Sequence, residues 1–574
     1  SIRHTFPRVL KWGFFLSLFM TAVRVGTRSA VNREIFESMA IVVDLVGALV
    51  LCSILLRSMH RAWTPQEERV FRIGTGTLTL GLFLYHGLEL WLIPVAIVQV
   101  AMGDYVTLNF LVKMLGFVGG MFFGFLSGYF VGGQSLGAFV LAMTMVATYS
   151  SVSSFVGGPG MAYEIGFGWI YMAVIQTMTI FLVLGIFGKK VARLARRIHA
   201  VTIVDIIRHR YQSDALAAIA ALVIVVFFAA SMVAQFVGGA QLFAAVTGYS
   251  YELGLVLFGI VVVIYTSIGG FRAVALTDTC CAIVMMLGIV LLFYYVLDAG
   301  GGLAAILAEL RTTHPEMLTP TAAGRMPISL YISQWLLVGA LTIALPQSVV
   351  RGISYRSSRD MHRAMIIGTV VIAFMNIAVN LVGVLGRGVL GVDAKALGGV
   401  DSVIPQLMAQ VMPPELLGLA IIGPLAASIS TISGVLIVAS SAVVKDVYLH
   451  HMQKRKKSVS EQTLRRLSMG VTAVLGIIVF LLAVAPPSLI WLINMFAFGG
   501  LETAFFWVLV FGLFTKWARR TGALAAMAGG TVVYCAAMAA GFKPFGLHPI
   551  AVGITVSLLF FLLGSYWERS HERA

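Results

Sequence analysis

Apolar runs of roughly 20 residues, the length that a helix needs to cross a bilayer, follow one another along almost the whole chain. Short polar connections separate the runs, so each of them predicts a membrane-spanning helix. The 574 residues are 59% apolar and only 11% charged, a composition that excludes a soluble domain of this length. The pattern therefore predicts an all-α polytopic membrane protein. About 16 spans are expected, near residues 9–27, 36–56, 72–98, 106–131, 135–165, 166–188, 213–246, 251–268, 273–297, 326–351, 360–388, 415–445, 464–485, 487–514, 521–541 and 548–566.

The formal net charge of +16 comes from basic residues that form short clusters between the apolar runs. This arrangement is typical of cytoplasmic loops and excludes a continuous nucleic-acid-binding face. Taking the clusters as cytoplasmic places both termini in the cytoplasm. All four cysteines fall inside apolar runs, and no metal-spaced His/Glu motif or nucleophile elbow is present, so neither an enzyme nor a cofactor is expected. The basic clusters lie at residues 57–72, 189–210, 351–359, 454–457 and 516–520.

Two of the apolar runs contain helix-breaking residues at corresponding places. Within residues 135–515 the spans read as two sets of five, and the first span of each set is interrupted, at 157–160 (Gly-Gly-Pro-Gly) and at 344–346 (Ala-Leu-Pro). Such breaks free backbone groups in the middle of the membrane, where they persist only beside protein or a wet cavity. Broken helices in two halves indicate a secondary transporter with a site at the midplane. The alternative is that Gly and Pro are simply common in membrane helices.

Two stretches rich in hydroxyl groups point to a cation site. One covers residues 144–155, just before the first break, and the other covers 426–433, in the centre of span 415–445. Hydroxyls and backbone carbonyls can form a weak, reversible cage for sodium, although Ser and Thr also bond back to their own helix. Each stretch alone leaves both interpretations open, and together they favour an ion site.

Over about residues 125–566 the chain resembles a known family, the sodium:solute symporters. Within the family the similarity is greatest to members that carry pantothenate. The motifs that carry the resemblance are Tyr-Phe-Val-Gly at 129–132, Ser-Ser-Phe-Val-Gly-Gly-Pro-Gly at 153–160, Gln-Phe-Val-Gly-Gly-Ala at 235–240, the segments 269–279 and 439–448, Phe-Ala-Phe-Gly-Gly-Leu-Glu at 496–502, and Gly-Leu-His-Pro-Ile at 546–550.

The resemblance implies a LeuT-type core of five plus five spans related as inverted repeats, with extra helices at both ends. It also implies a sodium-coupled symporter that imports pantothenate by alternating access, with Na⁺ as the coupling ion and no other cofactor. Proline or a monocarboxylate is the alternative solute. The expected location is the inner (cytoplasmic) membrane of a bacterium, in contact with membrane lipid.

The resemblance also assigns an ion site between the first and eighth core helices. The sodium ligands it implies are the backbone carbonyls of Ala147, Ser150 and Ala427 and the hydroxyls of Ser430 and Thr431.

Asp278 matches an acid on the family's sodium exit route. An acid inside a membrane is expected to be functional. The alternative is a structural role, in which Asp278 forms an ion pair with the nearby Arg272. The family's usual Gln three positions after this acid is replaced by Cys281, which leaves the sodium affinity and stoichiometry open.

Family members bind substrate beside the two broken helices. The substrate residues that the resemblance implies are Tyr149, Ser153, Ser154, Thr342 and Pro346.

Glu502 lies in the middle of an apolar span. Either it is protonated or paired with a residue of another helix, or it contacts the substrate or a cation.

The N-terminal region predicts a fusion. Residues 8–65 faintly resemble a small two-span membrane protein that is often encoded beside such symporters. A hairpin that returns to the cytoplasm needs one more crossing before a symporter whose first helix starts outside, and residues 72–98 supply it. The expected organisation is a two-span hairpin at 1–70, a connecting span at 71–104 and the symporter domain at 105–570.

Overall fold

A computed structural model describes residues 136–198, 200, 202–268, 271–457, 459–485 and 490–572. All of these residues belong to one compact unit, Tyr129–Ala574. The predicted hairpin at 1–70, the connecting span at 71–104 and the start of the symporter domain up to residue 135 lie outside the described residues.

The regular structure of the described part is helical. Nine of its helices are long and apolar enough to cross a membrane, and two bent pairs raise that number to eleven. Short 3₁₀ turns aside, the helices in chain order are α1 (Ala138–Tyr149), α2 (Ser153–Ile165), α3 (Phe167–Ile198), α4 (Ile203–Tyr211), α5 (Asp214–Thr247), α6 (Tyr251–Ile268), α7 (Phe271–Ala299), α8 (Leu303–Thr313), α9 (Ile328–Ala344), α10 (Pro346–Gly352), α11 (Ser358–Leu390), α12 (Val403–Val411), α13 (Leu416–Lys454), α14 (Glu461–Ala483), α15 (Ile490–Phe514), α16 (Arg520–Ala539) and α17 (Ile550–His571).

The helix order agrees with the predicted five plus five. The bent pair α1–α2 is followed by α3, α5, α6 and α7, and the bent pair α9–α10 is followed by α11, α13, α14 and α15. The order includes α6, whose apolar part is shorter and which is not among the eleven. Because successive spans alternate in direction, the basic connections after α3, α10, α13 and α15 fall on one side of the membrane. That is the arrangement expected for cytoplasmic loops.

The first helix is interrupted earlier in the chain than predicted. α1 ends at Tyr149, Ser150 has an extended backbone, and α2 begins at Ser153 with the axis bent by 66°. The predicted break at 157–160 is therefore wrong, because these residues lie inside α2. A π-helical turn over Ser153–Gly157 places Pro159 in the first turn of the following α-helix, where its missing N–H costs little.

The glycines of that segment serve close packing instead of a break. A Cβ atom on Gly160 would lie 2.1 Å from the carbonyl oxygen of Val400, in the connection between α11 and α12. A Cβ on Gly383 of α11 would lie 2.1 Å from the carbonyl oxygen of Pro159. Only hydrogen fits at these two positions, so α2 is held in backbone contact with its neighbours.

The second break is where the sequence predicts it. α9 ends at Ala344, Leu345 is extended, and Pro346 begins α10 with a bend of 47°. Proline cannot continue the hydrogen bonding of α9 but is well suited to the first position of a new helix.

Candidate solute cavity and ion site

A cavity lies beside the first break and draws its wall from both halves of the core. The wall contains polar and aromatic side chains but no charged one. The polar side chains are Gln176, Gln334, Asn376, Asn380 and Asn494, with the hydroxyls of Tyr149, Ser151, Ser153 and Ser154, and the aromatic ones are Trp169, Trp491 and Phe498.

Several polar atoms of this wall have no hydrogen-bond partner within the described part of the chain. They are both side-chain atoms of Gln334, the Oδ1 atom of Asn380 and the hydroxyl of Ser153. These residues are only 1%, 2% and 6% exposed, respectively. Since leaving a buried polar group unpaired costs about 1–3 kcal/mol, atoms of this kind beside a cavity are suited to a polar ligand.

Three of the five predicted substrate residues line the cavity, namely Tyr149, Ser153 and Ser154. Thr342 and Pro346 lie at the second break but are not part of the wall. The Thr342 hydroxyl donates to the Gly339 carbonyl at 2.6 Å, a bond back to its own helix.

The amide side chains were missed by sequence reasoning. Asn376 and Asn380 are one helical turn apart on α11, and the Asn380 amide donates to the Asn376 side-chain oxygen at 3.0 Å. Asn494 of α15 accepts a hydrogen bond of 3.0 Å from Ser231. The signal that could have found them is the presence of amides within otherwise apolar spans, where polar side chains are expensive.

A residue of α5, Gln235, binds the backbone at the first break. The side-chain oxygen of Gln235 accepts the backbone N–H of Val152 at 3.0 Å, and the Gln235 carbonyl accepts the Ser428 hydroxyl at 2.8 Å. Gln235 therefore connects the interrupted α1–α2 pair to α13. This residue belongs to one of the motifs that carry the family resemblance, but nothing in the sequence showed which backbone group it binds.

The predicted sodium ligands lie on helices that pack against each other, α1 and α13. Because the chain leaves the helix at Ser150, the carbonyls of Ala147 and Ser150 accept no hydrogen bond from any described residue. On α13, the Ser430 hydroxyl donates to the Ala427 carbonyl at 3.1 Å. The Thr431 hydroxyl is buried without a partner among the described residues. The predicted set thus contains free oxygen acceptors on both helices.

The two breaks are joined directly. The hydroxyl of Tyr149, the last residue of α1, donates to the Ser348 hydroxyl of α10 at 2.6 Å. Tyr149 is 4% exposed and also lines the cavity. This hydrogen bond therefore links the end of α1 to α10.

Asp278 of α7 forms a buried ion pair, and its partner is Arg351 of α10. The Arg351 Nη2 atom lies 3.0 Å from the Asp278 Oδ2 atom, which also accepts the Thr144 hydroxyl at 2.7 Å. A Cβ on Gly434 of α13 would lie 2.5 Å from the guanidinium, so glycine there leaves room for it. The side chain of Arg272, the partner considered from sequence, lies outside the described residues.

With the orientation predicted from the basic clusters, this pair lies on the cytoplasmic side of the predicted ion site. Thr144 precedes Ala147 by three residues on α1, which corresponds to about 5 Å along the helix axis.

Glu502 lies at the middle of α15 and is completely buried. Neither of its carboxyl oxygens has a hydrogen-bond partner among the described residues, and none of the ion pairs in that part of the chain includes it.

A buried acid also joins the connection between α11 and α12 to the start of α15. Asp401, in the connection between α11 and α12, accepts the N–H of Ile490, the first residue of α15, at 3.0 Å. Burial raises the pKa of Asp401, and the bond from Ile490 opposes that shift.

Known proteins resemble this chain in sequence and in fold. The chain is 43% identical over 451 residues to the sodium/pantothenate symporter of Escherichia coli strain K12, an alignment that covers 78% of this chain and 92% of that protein. It is 39% identical over 442 residues to the sodium/pantothenate symporter of Haemophilus influenzae, covering 77% and 90%. A solved structure of a Na⁺-coupled sialic acid symporter, in a substrate-bound outward-open state, matches with a TM-score of 0.63 and 19% identity over 81% of this chain and 98% of that one.

The structural match establishes the fold, which is that of LeuT-type transporters. The sequence match establishes more, because the model of the sodium:solute symporter family covers residues 129–530. As expected from sequence, the protein is a transporter and not an enzyme. The chain belongs to the sodium:solute symporter family and is a sodium-coupled solute symporter of the membrane.

Proposed function

We propose that this symporter imports pantothenate together with sodium across the cytoplasmic membrane of a bacterium. The observation that carries the proposal is the cavity beside the broken helices, whose wall is built from neutral amides and hydroxyls with unpartnered buried atoms. The identity of 43% to a sodium/pantothenate symporter supports the choice of solute.

The chemistry of the wall suits the chemistry of pantothenate, which carries one amide, two hydroxyls and one carboxylate. Gln334 offers a donor and an acceptor, and Asn380 offers an acceptor, so together they can pair with the amide and hydroxyls of the solute. A site built for hydrogen bonds rejects analogues that lack the matching groups, because its own buried atoms are then left unpaired.

The carboxylate of the solute needs no buried arginine. α2 begins at Ser153, and Ser153 and Ser154 both line the cavity, so the first amides of this half-helix lie at the cavity wall. The start of a helix carries partial positive charge, which favours an anion. The N–H of Val152 already donates to Gln235, and those of Ser154 and Phe155 donate to the Ser151 carbonyl, so the partial charge supplies the attraction. The carboxylate therefore belongs at the start of α2 in this proposal.

The sodium ion belongs between α1 and α13, on the carbonyls of Ala147, Ser150 and Ala427 and the hydroxyls of Ser430 and Thr431. These ligands carry no charge, so the cage holds the ion weakly enough to release it. Asp278 then receives sodium on its way to the cytoplasm, once the ion pair with Arg351 separates.

The first prediction concerns the solute. The purified protein in proteoliposomes should accumulate labelled pantothenate when a sodium gradient points inward, and not when potassium replaces sodium. Excess unlabelled pantothenate should abolish the signal. Uptake of proline that pantothenate does not inhibit would contradict the proposal and favour the alternative solute.

The second prediction concerns the amide wall. Gln334→Leu should raise the KM for pantothenate about tenfold, which corresponds to about 1.4 kcal/mol, because the solute loses two hydrogen-bonding atoms. The sodium concentration for half-maximal uptake should not change. Gln453→Leu, at an exposed glutamine of α13, is the matched control, and an unchanged KM in Gln334→Leu would show that this amide does not contact the solute.

The third prediction concerns the ion site. Thr431→Val keeps the shape of the side chain but removes the free hydroxyl, so the sodium concentration for half-maximal uptake should rise about tenfold. Thr472→Val is the control, because the Thr472 hydroxyl is equally buried but bonds back to Ser468 in its own helix. Equal sodium dependence in the two variants would remove Thr431 from the ligand set.

The fourth prediction separates the structural and transport roles of Asp278. Asp278→Asn alone leaves the Arg351 charge buried and unpaired, which costs about 3–5 kcal/mol, so the melting temperature of the purified protein should fall. The double variant Asp278→Asn/Arg351→Gln should recover most of that loss. If Asp278 also relays sodium, the double variant binds pantothenate but does not concentrate it, whereas full accumulation would leave the acid with a structural role only.

A further inference from the structure

Glu502 is an acid for which the transport cycle proposed above has no use. It is the one fully buried glutamate among the described residues, and both of its oxygens lack a hydrogen-bond partner there. A lone carboxylate in a membrane interior is strongly disfavoured, so a group in this position must be neutralised by a proton or by a bound cation.

The position of Glu502 on α15 places it on the solute pathway. Trp491, Met495 and Phe498 line the cavity, and they recur at the spacing of one helix face. Glu502 follows Phe498 by four residues, so it continues this face by one turn toward the cytoplasm. A solute that leaves the cavity inward along α15 would pass this carboxyl group.

Two neutral tyrosines interact electrostatically with Glu502 from neighbouring elements. They are Tyr149 at the end of α1 and Tyr534 of α16. The Tyr534 hydroxyl donates to the Phe496 carbonyl at 3.1 Å, and that of Tyr149 donates to Ser348, so neither hydroxyl is directed to Glu502 as a donor.

Four charged groups on neighbouring elements have partners other than Glu502. Arg351 of α10 pairs with Asp278, and Asp214 of α5 pairs with His450 and Lys454 at the cytoplasmic end. Arg210 of α4 donates to the carbonyls of Gly512 and Thr515, more than two turns below Glu502. On α17, Glu568 accepts the N–H of Thr521.

A proton fits this site better than sodium does. Sodium needs several oxygen atoms around it, whereas the free oxygens on this part of α15 are the two of Glu502 and the Thr503 hydroxyl, which points toward Gly553 of α17. Two residues before Glu502, a Cβ on Gly500 would lie 2.0 Å from the Phe227 ring of α5, so an aromatic ring packs against this part of α15.

We propose that Glu502 is a proton-binding site on the solute pathway, protonated in this conformation and able to release its proton to water when the pathway opens to the cytoplasm. Protonation removes the repulsion between Glu502 and an anionic solute that passes it. One proton moves between the carboxyl group and water in each exchange, and no other bond changes. The transport part of this inference rests on the proposed import of pantothenate, whereas the protonation itself does not.

Infrared spectroscopy of the purified protein tests the protonation directly. At pH 7 the wild type should show the carbonyl stretching band of a buried glutamic acid, and the Glu502→Gln variant should lack this component, whatever buried aspartic acids contribute. Glu252→Gln, at an exposed glutamate at the start of α6, should leave the band unchanged. Labelling glutamate with a heavy carbon isotope in the unmutated protein should shift the band, so the assignment does not depend on the folding of a variant. Absence of any glutamate band at pH 7 would overturn the proposal.

Uptake measurements test the link to transport. Pantothenate uptake by wild-type proteoliposomes should fall about threefold or more as the internal pH is raised from 6 to 9, whereas uptake by Glu502→Gln should be independent of internal pH and remain sodium-dependent. A pH profile in Glu502→Gln identical to that of the wild type and of Glu252→Gln would overturn the coupling. A carboxylic acid band without any pantothenate uptake would contradict the proposed solute and leave the proton site standing.

Discussion

A membrane helix can be interrupted only where other groups satisfy the hydrogen bonds that its backbone loses. At the break between α1 and α2 the side chain of Gln235 meets this requirement by accepting the N–H of Val152, and Ser428 in turn binds the Gln235 carbonyl. The rest of the site depends on this arrangement. It leaves the carbonyls of Ala147 and Ser150 without amide partners beside α13, and it directs the start of α2 at the cavity.

Two buried acids of the interior, Asp278 and Glu502, differ in their partners. Asp278 has a cation and a hydroxyl as partners, and Gly434 provides the space that the guanidinium of Arg351 occupies. Glu502 has neither, and aromatic side chains surround its turn of α15. A buried ion pair resists separation because each charge would be left unpaired, whereas an unpaired carboxyl group can change its charge by exchanging a proton. The two acids are therefore suited to different steps of a transport cycle.

The absence of charge from the cavity wall has a consequence for transport. A carrier must release what it binds, so a site that used a buried arginine for the solute carboxylate would hold it too firmly in a low-dielectric interior. Side-chain amides and the partial charge of a helix end provide direction and specificity at lower cost. The Tyr149–Ser348 contact joins the two broken helices at this wall.

The sequence by itself determined the class of protein, the order of five and five spans in the described region and the second break, because apolar length and proline act locally. It misplaced the first break: Gly157 to Gly160 look like a helix end, but a π-helical turn and backbone contacts with Val400 and Gly383 keep them helical. Only the tertiary structure decided that Arg351 is the partner of Asp278, that Gln334 and Asn380 face the cavity, and that Glu502 has no partner among the described residues. These facts depend on contacts between helices far apart in the chain, which residue spacing along one helix does not specify.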